Sequence, residues 1–310
     1  MLANREKLKE MLAACPTKKR VGVAAAHDSH TLEAIAAATR DGLVKPVLIG
    51  DEKKIFQLWA EIAADLSEPE VIHVEGDAAC AEYAVALARN GQIDCLMKGK
   101  LETATMMRAV VNRETGIRNS DVLSMIAILE SPYYHKLFAV TDVGLLMYPT
   151  LEQKKAVIEN AVELFHALGV ETPKVAVLAA VEKENLQMPE TVDAAKLKEM
   201  NEQGVLTGCV VEGPISYDLC MDSESAAIKG YVSPVAGDPD ILVVPDIASG
   251  NVLSKALTCS GGAKSCGTVC GAKVPIIVTS RSAPAEDKYM SIILAAVAGG
   301  AVAGKIDDRE

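Results

Sequence analysis

Four polar residues, Thr279, Ser280, Arg281 and Ser282, close a short apolar run, and Pro284, Ala285, Glu286 and Asp287 follow almost at once. A hydroxyl and a guanidinium at a strand end, then a proline that opens a helix, suit an anion. Ligands of parallel α/β sheets sit beyond the carboxyl ends of strands, and free amides at a helix start favour negative charge. A second corner repeats the arrangement: after Cys95, Leu96 and Met97 come Lys98, Gly99 and Lys100, then a stretch carrying Thr103, Thr105 and Arg108. A third candidate is Ser233-Pro234-Val235-Ala236-Gly237, with Pro245-Asp246 and Gly250-Asn251 beyond it. Asp142 and Gly144 end another apolar run, and Asp218 follows a further one. Each has a plainer explanation: a capped helix with a surface arginine, a solvated basic turn, or a Gly/Pro turn. Two strand-to-helix corners with guanidinium groups favour a shared anion site more than either corner does alone.

Other chemistries lack their residues. No GxGxxG is present, so a dinucleotide fingerprint is missing. Gly262 and Gly267 have P-loop spacing, but Thr268 stands where lysine is required. There is no Gly-x-Ser-x-Gly elbow of a serine hydrolase. His27 and His30 beside Asp28 read as a loop and helix cap rather than metal ligands, and no metal is expected. The eight cysteines include no CxxC pair and read as reduced, buried thiols. A formal net charge of -11 argues against nucleic acid, and a small anion would need a local basic cluster. The N-terminal residues 1–20 read as an amphipathic helix with no secretory signal. The apolar run 290–304 is short for a bilayer and reads as a buried helix. A cytoplasmic protein with no membrane partner is expected.

The elements that must position these residues alternate. The 310 residues, half apolar and 4% aromatic, suggest two domains of roughly 150 residues with helices layered on sheets. Strands are expected at 20–26, 45–49, 71–74 and 94–97, with helices at 29–40, 51–66 and 78–90. That order predicts a mostly parallel sheet. Runs 122–129 and 136–141 read as a hairpin-like pair. A helix at 151–168, capped by Thr150 and Glu152, follows. Beyond it lie strand 174–179, helix 194–201, strands 208–211 and 241–244, helix 247–257, strand 274–278 and a last helix opened by Pro284. No linker separates the domains, so the chain should cross between them more than once.

Residues 230–287, with SPVAGDPDILVVPDIASGN and AKVPIIVTSRSAPAED, resemble the phosphate acetyltransferase and phosphate butyryltransferase family. The likeness extends through MKGKLETATMMRAV, VTDVG and VEGPISYD, and TLEQKKAVIENAV and KVAVLAAVEKENLQMPET look closest to the butyryl branch. One departure is that residues 75–81 contain no Arg or Lys, so one phosphate-binding arginine of the acetyl branch has no counterpart.

The resemblance implies a homo-oligomer, dimer or larger, of two α/β domains with mostly parallel sheets. It implies an interdomain cleft in an isocitrate/isopropylmalate dehydrogenase-like architecture. The domains would be 1–118 plus 268–310, and 119–267. The implied activity is reversible transfer of a short acyl group, butyryl by preference, between coenzyme A and phosphate; the alternative is acetyl transfer. Acyl-CoA, phosphate and acyl phosphate are the partners, and no cofactor is needed because coenzyme A is a substrate. Asp287 is assigned as the base, with Ser280 and Arg281 at the chemistry. Arg108, Arg281, Ser280, Lys98, Thr103, Thr105, Asp142, Ser233, Pro234 and Asn251 are assigned to phosphate or coenzyme A. More distant alternatives are a metal-dependent decarboxylating dehydrogenase and a non-catalytic CoA-binding subunit.

Overall fold

The computed structural model describes residues 2–280 and 283–307. It divides into two compact units, Arg5–Asn119 with Cys266–Glu310, and Met1–Asn4 with Ser120–Ser265. The family resemblance implies domains of 1–118 plus 268–310, and 119–267. The departure is at the start of the chain: Leu2 is buried, and its carbonyl accepts the Leu137 amide at 2.9 Å, so the first four residues belong with the second unit.

The first unit begins with α1 (Arg5–Ala13), β1 (Lys19–Ala24), α2 (Ser29–Arg40), β2 (Val44–Gly50), α3 (Glu52–Ile62), β3 (Glu70–His73), α4 (Asp77–Arg89), β4 (Cys95–Lys98) and α5 (Thr103–Val110). The second unit holds β5 (Ser124–Glu130), β6 (Phe138–Thr141), α6 (Leu151–Ala167), β7 (Lys174–Leu178), α7 (Pro189–Glu202), β8 (Val210–Ile215), α8 (Tyr217–Met221), α9 (Ser223–Ile228), β9 (Ile241–Val243) and α10 (Ile247–Cys259). The chain returns through β10 (Lys264–Cys270), β11 (Ile276–Ile277) and α11 (Ala285–Asp307).

In the first unit the strands lie in the order β3-β2-β1-β4-β11-β10, parallel except for β10 against β11. Helices on the faces of such a sheet bury both sides, which explains the unbroken apolar stretches of β1 and β2. In the second unit the order is β5-β6-β9-β7-β8, with β5 antiparallel to β6 and the rest parallel. Its core gathers Leu129, Phe138, Val140, Ile215, Val235 and Leu242. Full burial of each such side chain contributes about 1.5–3 kcal/mol. In α11, Ile292, Ile293 and Leu294 are fully buried, and the helix packs on α2 and β1. Among the described residues no helix is long and apolar enough to cross a membrane.

Local chemistry sets the helix starts. Asp28 caps α2 by accepting the Thr31 amide at 3.0 Å, and Asp51 caps α3 through Lys54. Thr150 caps α6, but its partner in the capping box is Gln153 rather than Glu152. Helix α7 starts at Pro189, five residues before the expected 194, because proline is at home in a first helical turn. The expected strand 208–211 extends as β8 through Gly213 and Pro214 to Ile215. Helices α8 and α9 and strand β10 were not anticipated. The expected amphipathic helix of residues 1–20 is the shorter α1.

Candidate active site

Two of the polar corners follow neighbouring parallel strands. Strands β4 and β11 are parallel neighbours, with Leu96 opposite Ile276 and Met97 opposite Ile277. Lys98 and the residues after Ile277 therefore leave the sheet at the same, carboxyl end. Strand β1 flanks β4 on the other side, with Ala24 opposite Lys98.

The turn after β4 is stitched to the end of β1. The amides of Gly99 and Lys100 donate to the carbonyls of Ala24 and Ala25, each at 2.9 Å. A Cβ at position 99 would lie 2.4 Å from the Ala25 carbonyl oxygen, so only glycine lets the backbones approach this closely. Ala25 itself has φ of 55°, uncommon for a residue with a side chain. Lys98 folds its ammonium back onto the same turn, donating to Gly99 O at 3.1 Å and Leu101 O at 3.0 Å. This turn feeds α5, which Thr103 opens. Thr105 and Arg108, three residues apart, share one face of that helix. Thr103 lies about 140° around the axis from Arg108. Arg108 is exposed in the last turn of α5.

At the other corner Ser280 is exposed, and its carbonyl accepts the Ala283 amide at 3.1 Å. Arg281 lies outside the described residues. Asp287 stands in the first turn of α11, its side chain 24% exposed. A residue absent from the sequence-based site reaches it: Arg5 of α1 donates from Nη1 to Asp287 Oδ1 at 3.3 Å and from Nη2 to Glu286 Oε1 at 2.8 Å. Arg5 is buried alongside Leu8 and Leu12, spaced i, i+3 and i+7 on the inward face of α1. A charged residue at an apolar-face position was the available signal.

The remaining candidates belong to the second unit, where the geometry gives several of them local duties. Asp142 is buried; Oδ1 accepts the amides of Gly144 and Leu145 at 2.7 Å each, and Oδ2 accepts that of Met125 at 2.8 Å. Burial pushes its carboxyl above the ordinary range against the pull of those amides. This is a loop-holding carboxylate, and the geometry lends no support to its assignment as a substrate ligand. Asn251 is exposed on α10 and donates from Nδ2 to Val143 O at 3.2 Å. Ser233 faces Glu212. Burial works against the Glu212 charge, yet Lys198 at 2.7 Å and the Ser233 hydroxyl hold its carboxyl below the ordinary range. Pro234 is exposed in the turn between Ser233 and Val235. Asp218 pairs with Lys229 at 2.8 Å.

Burial raises the thiols of Cys80, Cys95, Cys209 and Cys220 above the ordinary cysteine value. Burial pushes Cys209 up to about 11 and Cys220 up to about 12, which keeps them protonated at neutral pH. Among the described residues, no three His, Cys, Asp or Glu side chains are grouped to hold a metal ion.

Against known proteins, the family described as "Phosphate acetyl/butaryl transferase" matches residues 78–296. A phosphate acetyltransferase of Thermotoga maritima is 41% identical over 292 residues, covering 94% of this chain and 98% of that protein. A phosphate butyryltransferase of Clostridium acetobutylicum is 39% identical over 282 residues, covering 91% and 94%. Among solved structures, a branched-chain phosphotransacylase from Enterococcus faecalis superposes with a TM-score of 0.79 at 33% identity, covering 91% of this chain and 99% of that one.

Proposed function

Because the chain belongs to the phosphate acetyl/butaryl transferase family, we propose that it is a phosphate acyltransferase that moves a short acyl group, butyryl by preference, between coenzyme A and inorganic phosphate. The observation that supports the reading is the parallel pairing of β4 with β11, from which Lys98 and the residues after Ile277 leave at the same, carboxyl end. The homo-oligomer and the dehydrogenase-like arrangement of domains belong to the same reading.

Starting from acyl phosphate, the thiol of coenzyme A loses its proton and attacks the acyl carbonyl, and phosphate departs with the electron pair of the cleaved C–O bond. A free thiol, with a pKa of about 8.5, is only slightly ionised at neutral pH. In this reading Asp287 takes the proton, help worth roughly 10²–10⁴-fold. The proton passes on to the released phosphate. Arg281 and Arg108 hold phosphate, since a planar guanidinium grips two oxygens at once. Ser280 donates to the oxyanion or the thiolate. It is not a covalent nucleophile, because no histidine or other base pattern stands next to it in sequence. The larger share of the acceleration comes from aligning two bound substrates, worth up to about 7–11 kcal/mol. The reaction needs no metal and no organic cofactor.

Acetyl transfer is the second reading, favoured by the identity to the Thermotoga maritima protein. One methylene in a pocket is worth only about 1–3 kcal/mol. Release of coenzyme A from acyl-CoAs of two to five carbons, with and without phosphate, tests both. Phosphate-dependent release that is fastest with butyryl-CoA is expected, and a clear acetyl preference removes the butyryl assignment.

A further inference from the structure

We propose that Arg5 is a positioning residue for the Asp287 carboxylate, an inference that rests on the reading of Asp287 as the base. A buried guanidinium is costly unless carboxylates meet it, and an apolar residue of similar volume usually joins two elements as well or better. Helix α1 already has that apolar joint in Leu8 and Leu12. Lys9 adds its ammonium over the Tyr289 ring, 5.5 Å from the centroid. Arg5 contributes something a leucine would not: a rigid fork with one nitrogen on Glu286 and the other on Asp287.

The backbone of the same helical turn is secured by other groups. The Ser291 hydroxyl donates to Asp287 O at 2.7 Å and accepts the Gly267 amide at 3.0 Å. Tyr289 OH donates to Asp41 Oδ2 at 2.6 Å, tying α11 to the end of α2. Arg5 therefore acts on the carboxylate itself. Glu286, whose side chain is 59% exposed, takes the shorter bond and anchors the guanidinium plane. Asp287 takes the longer one, which sets its carboxylate beside the guanidinium. Small displacements of a proton-accepting group are expensive: about 1 Å can cost ~10²-fold in rate.

The test compares Arg5→Met, Arg5→Lys, Asp287→Asn and the Arg5→Met/Asp287→Asn double variant in the full chain. Phosphate-dependent release of coenzyme A from butyryl-CoA gives kcat and KM, and thermal unfolding reports stability. Asp287→Asn should lower kcat by roughly 10²–10⁴-fold. Arg5→Met should lower kcat by about ten- to a hundredfold with KM for both substrates nearly unchanged. Arg5→Lys, which keeps charge but cannot span both carboxylates, should fall between. In the double variant, loss no greater than that of Asp287→Asn alone supports a role exercised through Asp287. Losses that multiply, or a wild-type kcat for folded Arg5→Met, overturn it. Should Arg5→Met not fold, wild-type kcat in Arg5→Lys overturns the proposal and a reduced kcat at unchanged KM supports it. Full activity in Asp287→Asn instead removes the base assignment itself.

Discussion

At the residue scale the account depends on which side chains sequence could reveal. Ser280, Arg281 and Asp287 stood out because a strand end, two polar groups and Pro284 formed one compact pattern. Arg5 offered only its charged side chain on the apolar face of α1, since its partners lie 281 and 282 residues away in the chain. Asp142 has a local duty that its place at a strand end does not reveal: its oxygens accept three backbone amides. For Arg281, replacement by lysine keeps the charge and loses the bidentate grip. Phosphate-dependent turnover should fall by at least tenfold, the rate equivalent of about 1.4 kcal/mol. Steady-state kinetics across phosphate concentrations measures this, and unchanged transfer would mean that the guanidinium is not at the chemistry.

At the element scale, helices and strands with one-sided or unbroken apolar patterns were legible. Helix α2 was expected and found at 29–40, bounded by the Asp28 cap. The misses share a cause. Strand β10, KSCGTVC, has small and hydroxyl side chains with little β signal, and β8 runs through a Gly-Pro that reads as a turn. Tertiary pairing decided both. The turn between β4 and α5 invites a test of positioning by backbone contact. Gly99→Ala would drive a Cβ against the carbonyls of Ala24 and Ala25, at 2.7 and 2.4 Å. We expect about 1–3 kcal/mol of destabilisation by urea unfolding, with phosphate-dependent turnover reduced as the Lys98 turn shifts.

A second element-scale prediction concerns pH. Burial opposes the charge of Asp238, but hydrogen bonds from Lys136, Lys174 and His135 hold its carboxyl well below the ordinary range. A depressed carboxyl contributes stability that is present above its unfolded value of about 3.9 and lost as pH falls through that range. Urea midpoints measured at pH 7 and pH 3 should therefore differ less for Asp238→Asn than for the parent chain. An identical difference would deny the ion cluster its role.

At the scale of the whole molecule, the chain leaves its first unit near residue 119 and returns near 266. The family resemblance implies such a discontinuity, and the missing linker agrees with it. The attachment of the first four residues to the second unit was not legible, since Leu2 meets Leu137 across the whole of the intervening chain. The return segment supplies β11, paired with β4, and α11, packed on α2 and β1. Residues 5–119 alone should accordingly give no cooperative thermal transition, whereas residues 120–265, which hold all five strands of the second unit, should give one. Circular dichroism of the two fragments checks this, and cooperative melting of 5–119 would contradict it.

Phosphorus NMR of the purified chain with butyryl-CoA and inorganic phosphate tests the central claim most directly. The account predicts an acyl phosphate resonance growing in step with released coenzyme A and with the loss of phosphate. Release of coenzyme A at the same rate without phosphate, or with no acyl phosphate formed, would contradict it.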